Sequence, residues 1–257
     1  IVTNNHVVRN AENVQVTFPN ELTVEAQIIG TDEKTDIAVL KIKVTDLEIA
    51  SVKFGDSDAI RVGDWTMAIG NPFGLGGTVT TGILSARARD IDTGPYDDYL
   101  QTDASINRGN SGGPLFNMNG EVIGINTAIF SPTGGSVGIG FAIPSALAKP
   151  VINQIIKYGR TRRGWLGVRI QTVTDEIAES LGLGAPRGAL VASVNDKGPA
   201  KAAGLEPGDI ILSINGQNIK EMKNLPRIVA EHDINATVPV TYWRDEKEHT
   251  VEVTIGE

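Results

Sequence analysis

Over the first 145 positions, apolar residues come in short runs or alternate with polar ones, the periodicity of strands rather than helices. Residues 14–18 and 24–29 read as two strands joined by the turn Pro19-Asn20-Glu21. The charged stretch Thr31-Asp32-Glu33-Lys34-Thr35-Asp36 then enters the apolar run Ile37-Ala38-Val39-Leu40. Trp65–Gly70 reads as a strand ended by the Pro- and Gly-containing segment 71–77, and 79–86 continues the pattern. Residues 87–98 read as a polar loop with Gly94-Pro95 in its middle. Leu115-Phe116, the turn Asn117-Met118-Asn119-Gly120, and Val122-Ile123-Gly124-Ile125 read as a hairpin. Ile1-Val2-Thr3 reads as the end of a strand, so the domain is expected to begin upstream of residue 1.

The first substantial helical signal is Ser145–Tyr158. Ser145 is a candidate cap, Pro150 should kink or restart the helix, and Gly159 should close it. The basic Arg160-Thr161-Arg162-Arg163 reads as a solvated linker and domain boundary, placing one domain at 1–159 and a second at 164–257. The second half mixes helical stretches at 175–181 and 224–232 with the strands around 210–214, 242–244 and 250–255, as in a small α+β domain. His232 and His249 read as exposed polar residues.

Composition narrows the possibilities without naming a chemistry. With 257 residues there is room for two domains, and 40% hydrophobic with 21% charged residues is ordinary for a water-exposed globular chain. The net charge of −8 offers no basic footprint for nucleic acid. With no cysteine, thiolate chemistry and disulfides are excluded. No apolar run reaches the roughly 18 residues of a membrane-spanning helix.

The candidate chemistry lies in Asn107-Arg108-Gly109-Asn110-Ser111-Gly112-Gly113-Pro114-Leu115. A serine is a poor nucleophile until a base, itself oriented by a carboxylate, takes its proton. His6 and Asp36 are the upstream candidates, with Asp32 the competing acid, read as a turn residue. Glycines let backbone N–H groups converge on an oxyanion, and those of Gly109 and Ser111 are the candidate donors. Gly-Asn-Ser-Gly-Gly also fits the nucleophile elbow of α/β-hydrolases, but that motif needs a following helix and the order Ser, Asp, His. Here a hairpin follows, and the order His, Asp, Ser points to a chymotrypsin-like double β-barrel, making the chain mainly β.

Three segments, Thr3-Asn4-Asn5-His6-Val7-Val8, Thr35-Asp36-Ile37-Ala38-Val39-Leu40 and Gly109–Leu115, closely resemble the triad motifs of HtrA/Deg serine proteases. Residues 103–107 and 138–144 are similar to the same family, and the second half resembles its first PDZ domain. The resemblance implies ATP-independent endoproteolysis of unfolded proteins in the bacterial periplasm, a trimer or multiples of it, and sometimes chaperone activity, with no cofactor and no metal. It implies His6 as general base and then acid, Asp36 as its orienting partner, Ser111 as nucleophile, and Gly109 and Ser111 as the oxyanion hole. Ile106, Ile129, Phe130 and Ile139 would line an apolar primary pocket suited to small aliphatic side chains. Arg89 would be the arginine of a regulatory loop at 87–96. In the PDZ half, Trp165, Leu166, Gly167 and Val168 fall in the carboxylate-binding loop, with a hydrophobic C-terminal peptide adding a strand beside 168–170. Leu225, Ile228 and Val229 would form its side-chain pocket. The family's first barrel strands and aromatic trimer contacts would lie upstream of residue 1. A client-holding, chaperone-like protein with a resting protease site remains the alternative.

Overall fold

The alternating segments fold as strands in both halves of the chain. The computed structural model describes residues 1–43, 49–72, 76–94 and 96–257; positions 73–75 of the turn after Gly70, and Pro95, lie outside them. Two units are distinguished, Ile1–Thr161 and Arg162–Glu257.

The first unit opens with β1 (Val2–Asn4), the helical turn α1 (Asn5–Val8), β2 (Val14–Thr17), β3 (Thr23–Asp32) and β4 (Ile37–Ile42), in a sheet of order β1-β4-β3-β2. The apolar run Ile37–Leu40 belongs to β4, which is flanked on both sides and buried. Next come β5 (Trp65–Gly70), β6 (Thr78–Arg89), β7 (Tyr99–Thr102), β8 (Pro114–Phe116), β9 (Val122–Ile129) and β10 (Gly140–Pro144). These close a barrel in the order β10-β7-β6-β5-β8-β9, sealed by the pairing of β10 with β9. Leu84, Leu100, Ile106, Leu115 and Ile123 fill its interior. The unit is thus a closed barrel beside a four-stranded open sheet.

The sheet and barrel of this unit are joined by α2 (Ser145–Tyr158). Ala148, Val151, Ile152 and Ile155 recur at helical spacing and pack on Ile37 and Val39 of β4, Ile125 of β9 and Ile143 of β10. Removing the side chain of the fully buried Ile155 would cost about 2–5 kcal/mol. Two local expectations are corrected. Ser145 does not cap the helix: Pro144 holds that position, and the buried Ser145 hydroxyl donates to the Gly55 carbonyl at 2.8 Å while accepting from Ser57 N at 3.1 Å. Pro150 does not restart the helix, which runs as one element from Ser145 to Tyr158; it and Ala146, whose carbonyl loses its donor, both face solvent, where water replaces the missing bond. Gly159 closes the helix in the left-handed conformation, φ 71°.

The second unit contains β11 (Val168–Thr172), α3 (Asp175–Ser180), β12 (Ala189–Val194), α4 (Pro199–Ala202), β13 (Ile210–Ile214), β14 (Gln217–Asn218), α5 (Asn224–Glu231), β15 (Thr237–Arg244) and β16 (Lys247–Thr254). The sheet order is β11-β12-β13-β15-β16, with β14 beside β13. Among the described residues β11 pairs only with β12, leaving its other edge open. The Thr174 hydroxyl caps α3 by accepting from Ile177 N. Asp209, 1% exposed, receives two bonds from the Arg244 guanidinium, at 2.6 and 2.7 Å, a fork that ties the start of β13 to the end of β15. His232 is half-buried rather than exposed, its ring N–H donating to the Ile228 carbonyl at 2.7 Å at the end of α5.

Candidate active site and peptide groove

His6 stands on α1, which follows β1 directly, and Asp36 stands where the charged loop enters β4. Pairing of β1 with β4 sets Asn4 opposite Ile37, which brings the two side chains together. The His6 Nδ1–H donates to Asp36 Oδ2 at 2.6 Å, and the His6 backbone N–H donates to Oδ1 at 2.8 Å. Asp36 has φ 55°, and this left-handed backbone is held by bonds from Asn5 N and Asn4 Nδ2 to its carbonyl, both 3.0 Å. Asp32 is buried and accepts from the Thr35 N–H and hydroxyl and, at 3.1 Å, from Thr161 Oγ1. It is a structural acid that fixes the turn leading to Asp36.

Thr127 on β9 is the residue the sequence reading missed. Its hydroxyl donates to Asp36 Oδ2 at 2.7 Å, and its carbonyl accepts the Ser111 hydroxyl at 3.3 Å. Burial pushes the Asp36 carboxyl up, but the bonds from the His6 ring, the Thr127 hydroxyl and the His6 backbone outweigh it and hold the group below its ordinary 3.8. Nδ1 being occupied, Nε2 is the imidazole nitrogen left to serve a nucleophile.

The serine loop is packed against the strand that leads to His6: a side chain at Gly112 would run into Thr3 and Asn4 of β1. Gly109 has φ 101°, and a Cβ there would overlap the Asn71 carbonyl, so the position demands glycine on both counts. Its carbonyl accepts from Asn71 N at 3.1 Å. Neither the Gly109 nor the Ser111 N–H has an acceptor among the described residues, as expected of two donors kept for an incoming oxygen. Ile129, Phe130 and Ile139 come together where Phe130 N bonds the Ile139 carbonyl at 3.0 Å, with Phe130 exposed. Ile106 is 2% exposed inside the barrel and lies against Gly140, so it supports that wall from within the core.

Arg89 is not in a loop, because the ladder of β6 with β7 extends to Arg89 opposite Tyr99, past bulges and the left-handed Ala88. Its guanidinium Nε bonds Gln101 Oε1 at 2.9 Å. In the second unit, Gly167 has φ 80° and is buried, with a carbonyl that accepts from Asn195 N at 2.8 Å, while the Leu166 carbonyl accepts from Ala200 N at 2.9 Å. The N–H groups of Leu166 and Gly167 have no acceptor among the described residues. Trp165 is partly exposed and flanks Gly167. Leu225, Ile228 and Val229 are buried in the core on which Val168 and Ile170 pack, so they floor the space beside β11 rather than lining an open pocket.

Residues 1–125 match the trypsin-like peptidase domain family, and 164–255 match the PDZ domain family. A solved structure titled "HtrA-type protease AlgW with decapeptide" shares 46% identity at TM-score 0.88, over 99% of this chain and 78% of that one. The chain belongs to the HtrA/Deg family of serine proteases. Its curated HtrA/Deg relatives include probable periplasmic serine endoproteases, DegP-like, of Brucella suis, 54% identical, and Rhizobium meliloti, 53% identical, each matched over 100% of this chain. The chain spans about half the length of these relatives, 50% and 51%. A serine endoprotease from Yersinia pestis has the same fold, with TM-score 0.74 at 40% identity, over 100% of this chain and 84% of that one. HtrA/Deg membership accounts for both halves of the sequence: a trypsin-like unit carrying His6, Asp36 and Ser111, and a PDZ unit with an open strand edge.

Proposed function

We propose that this chain is the catalytic and first regulatory part of an ATP-independent serine endoprotease that degrades unfolded proteins in the bacterial periplasm. The observation that carries the reading is the 2.6 Å bond from His6 Nδ1 to Asp36, which leaves Nε2 as the base for Ser111. Ser111 Oγ attacks the scissile carbonyl, and its proton passes to Nε2. The tetrahedral oxyanion takes the free N–H groups of Gly109 and Ser111. His6 then protonates the leaving amine, the C–N bond breaks, and an acyl-serine remains. Water, activated by the same Nε2, hydrolyses the acyl group and restores Ser111. Asp36 stays ionised throughout and stabilises the imidazolium. Ile129, Phe130 and Ile139, all apolar, favour a small aliphatic side chain before the cut. Hydrophobic C-terminal peptides bind the PDZ unit along β11 and regulate the protease, and the working particle is a homo-oligomer, a trimer or its multiples.

A client-holding reading draws on one observation: the Ser111 hydroxyl rests on the Thr127 carbonyl, a bond it must break to reach His6. Digestion of β-casein by the full-length protein and its Ser111→Ala variant decides between them. Cleavage after Val, Ala or Ile that falls by at least about 10⁴-fold in the variant supports the protease. Absence of cleavage by the parent, even with a hydrophobic C-terminal peptide added, supports client holding.

A further inference from the structure

A cavity with a cationic lining lies at the far end of β11. There, Thr172 and Val173 meet the segment Lys220-Glu221-Met222-Lys223 and the loop at Arg187 around a cavity of about 230 Å³. Val173 and Met222 give it an apolar wall. Its charged lining consists of Arg187, Lys220 and Lys223 against one carboxylate, Glu221, a cationic spot on a chain of net charge −8. Lys223 Nζ lies 3.4 Å from Glu221, and Arg187 lies 3.8 Å from Glu248, both at loose, exposed range. Lys220 is exposed and forms no ion pair among the described residues.

Strand geometry says which part of a ligand would arrive there. A peptide that adds antiparallel to β11, with its carboxylate on the free N–H groups of Leu166 and Gly167, sets its last residue, position 0, beside Val168. Each residue advances about 3.3 Å, so position −4 reaches Thr172. Side chains alternate faces, so positions 0, −2 and −4 point to one side and −1 and −3 to the other. On β11 itself, Val168 and Ile170 face the core under α5, and Thr172, two residues on, has the same parity and opens on the cationic cavity. We propose that this cavity is a specificity subsite of the PDZ groove that selects peptides carrying an Asp or Glu side chain at position −4. The proposal rests on the reading of β11 as the peptide-binding edge.

Fluorescence polarisation with labelled decapeptides tests it on the full-length protein. All share an apolar C-terminus, Val-Ile-Val at positions −2 to 0, and differ in carrying Glu at −4, Gln at −4, or Glu at −3 with Gln at −4. The Glu(−4) peptide should bind about threefold to tenfold tighter than Gln(−4) at low salt, and the advantage should shrink in high salt. Glu(−3) should give no gain, because it faces away. Lys220→Gln with Lys223→Gln should erase the preference of Glu(−4) over Gln(−4), and Lys220→Glu with Lys223→Glu should reverse it. If all three peptides bind the parent equally, the subsite is wrong and the groove stands. If Glu at −3 gains as much as Glu at −4, the effect is a diffuse field and the subsite is again overturned. If none binds, the groove reading fails and takes the subsite with it.

Discussion

Two aspartates, one in each unit, hold a basic partner at the same 2.6 Å. Asp209 is 1% exposed and is gripped at both oxygens by Arg244. Asp36 is 23% exposed in its side chain and His6 is 42%. The bonds to Asp209 raise Arg244 above its ordinary value, against the opposing effect of burial, so that guanidinium keeps its charge. It can only hold strands together. Asp36 is kept ionised beside an imidazole, whose charge can change, and the ring stays reachable from solvent. Equal distances therefore serve opposite ends, scaffold in the PDZ unit and, in the proposed mechanism, chemistry in the protease unit, and the difference lies in partner type and exposure rather than in geometry.

Substitutions can break this contrast. Asp36→Asn should lower kcat for a peptide substrate by about 10⁴-fold, since the imidazole loses its orienting charge and takes the wrong tautomer. Its melting temperature should stay within about 4 °C of the parent, because a half-exposed pair contributes little stability. Arg244→Ala should do the reverse. Leaving the Asp209 carboxylate buried and unpaired should destabilise the PDZ unit by about 3–5 kcal/mol in urea unfolding, while His6, Asp36 and Ser111 keep their geometry. A large stability loss in the first variant, or none in the second, would erase the distinction.

Thr127→Val sharpens it with a smaller effect. Asp36 then loses one of the bonds holding it below 3.8, so its pKa rises towards that value and kcat should fall about tenfold. The sign for stability follows from the depressed native value. In the parent, the Asp36 contribution is fully present above pH 3.8 and is lost as pH falls through the lower folded-state pKa. In Thr127→Val that contribution is smaller, so the fall in stability below pH 3.8 should be shallower. Acid unfolding followed by circular dichroism measures it.

Local chemistry made much of this legible in advance. The apolar run at 37–40, the hairpin around Asn117–Gly120 and the helix Ser145–Tyr158 each carry their own periodicity or turn residues, and all three fold as read. The order His6, Asp36, Ser111 distinguishes a barrel from an α/β-hydrolase. Thr127 was invisible because its partner Asp36 lies 91 residues away and it looks like any strand residue. Ser145 was misread for a related reason: a serine at a helix start is a cap by local rules, yet here its hydroxyl is taken by residues 55 and 57, almost ninety positions back. Arg89 was assigned to a loop because polar side chains do not reveal that Tyr99 continues the ladder opposite it. Contacts of long sequence separation leave no local trace, and they are what assemble the candidate site.

The open side of β11 has a cost that any such edge carries. Unpaired backbone groups are a template for another copy's strand, and long flat edges seed aggregation. This strand is five residues long, shifts register between Arg169 and Ile170, and exposes Arg169, Gln171 and Thr172. A short, bent, partly charged border of this kind resists pairing with the same strand of another copy, while its backbone groups stay open to a single incoming strand.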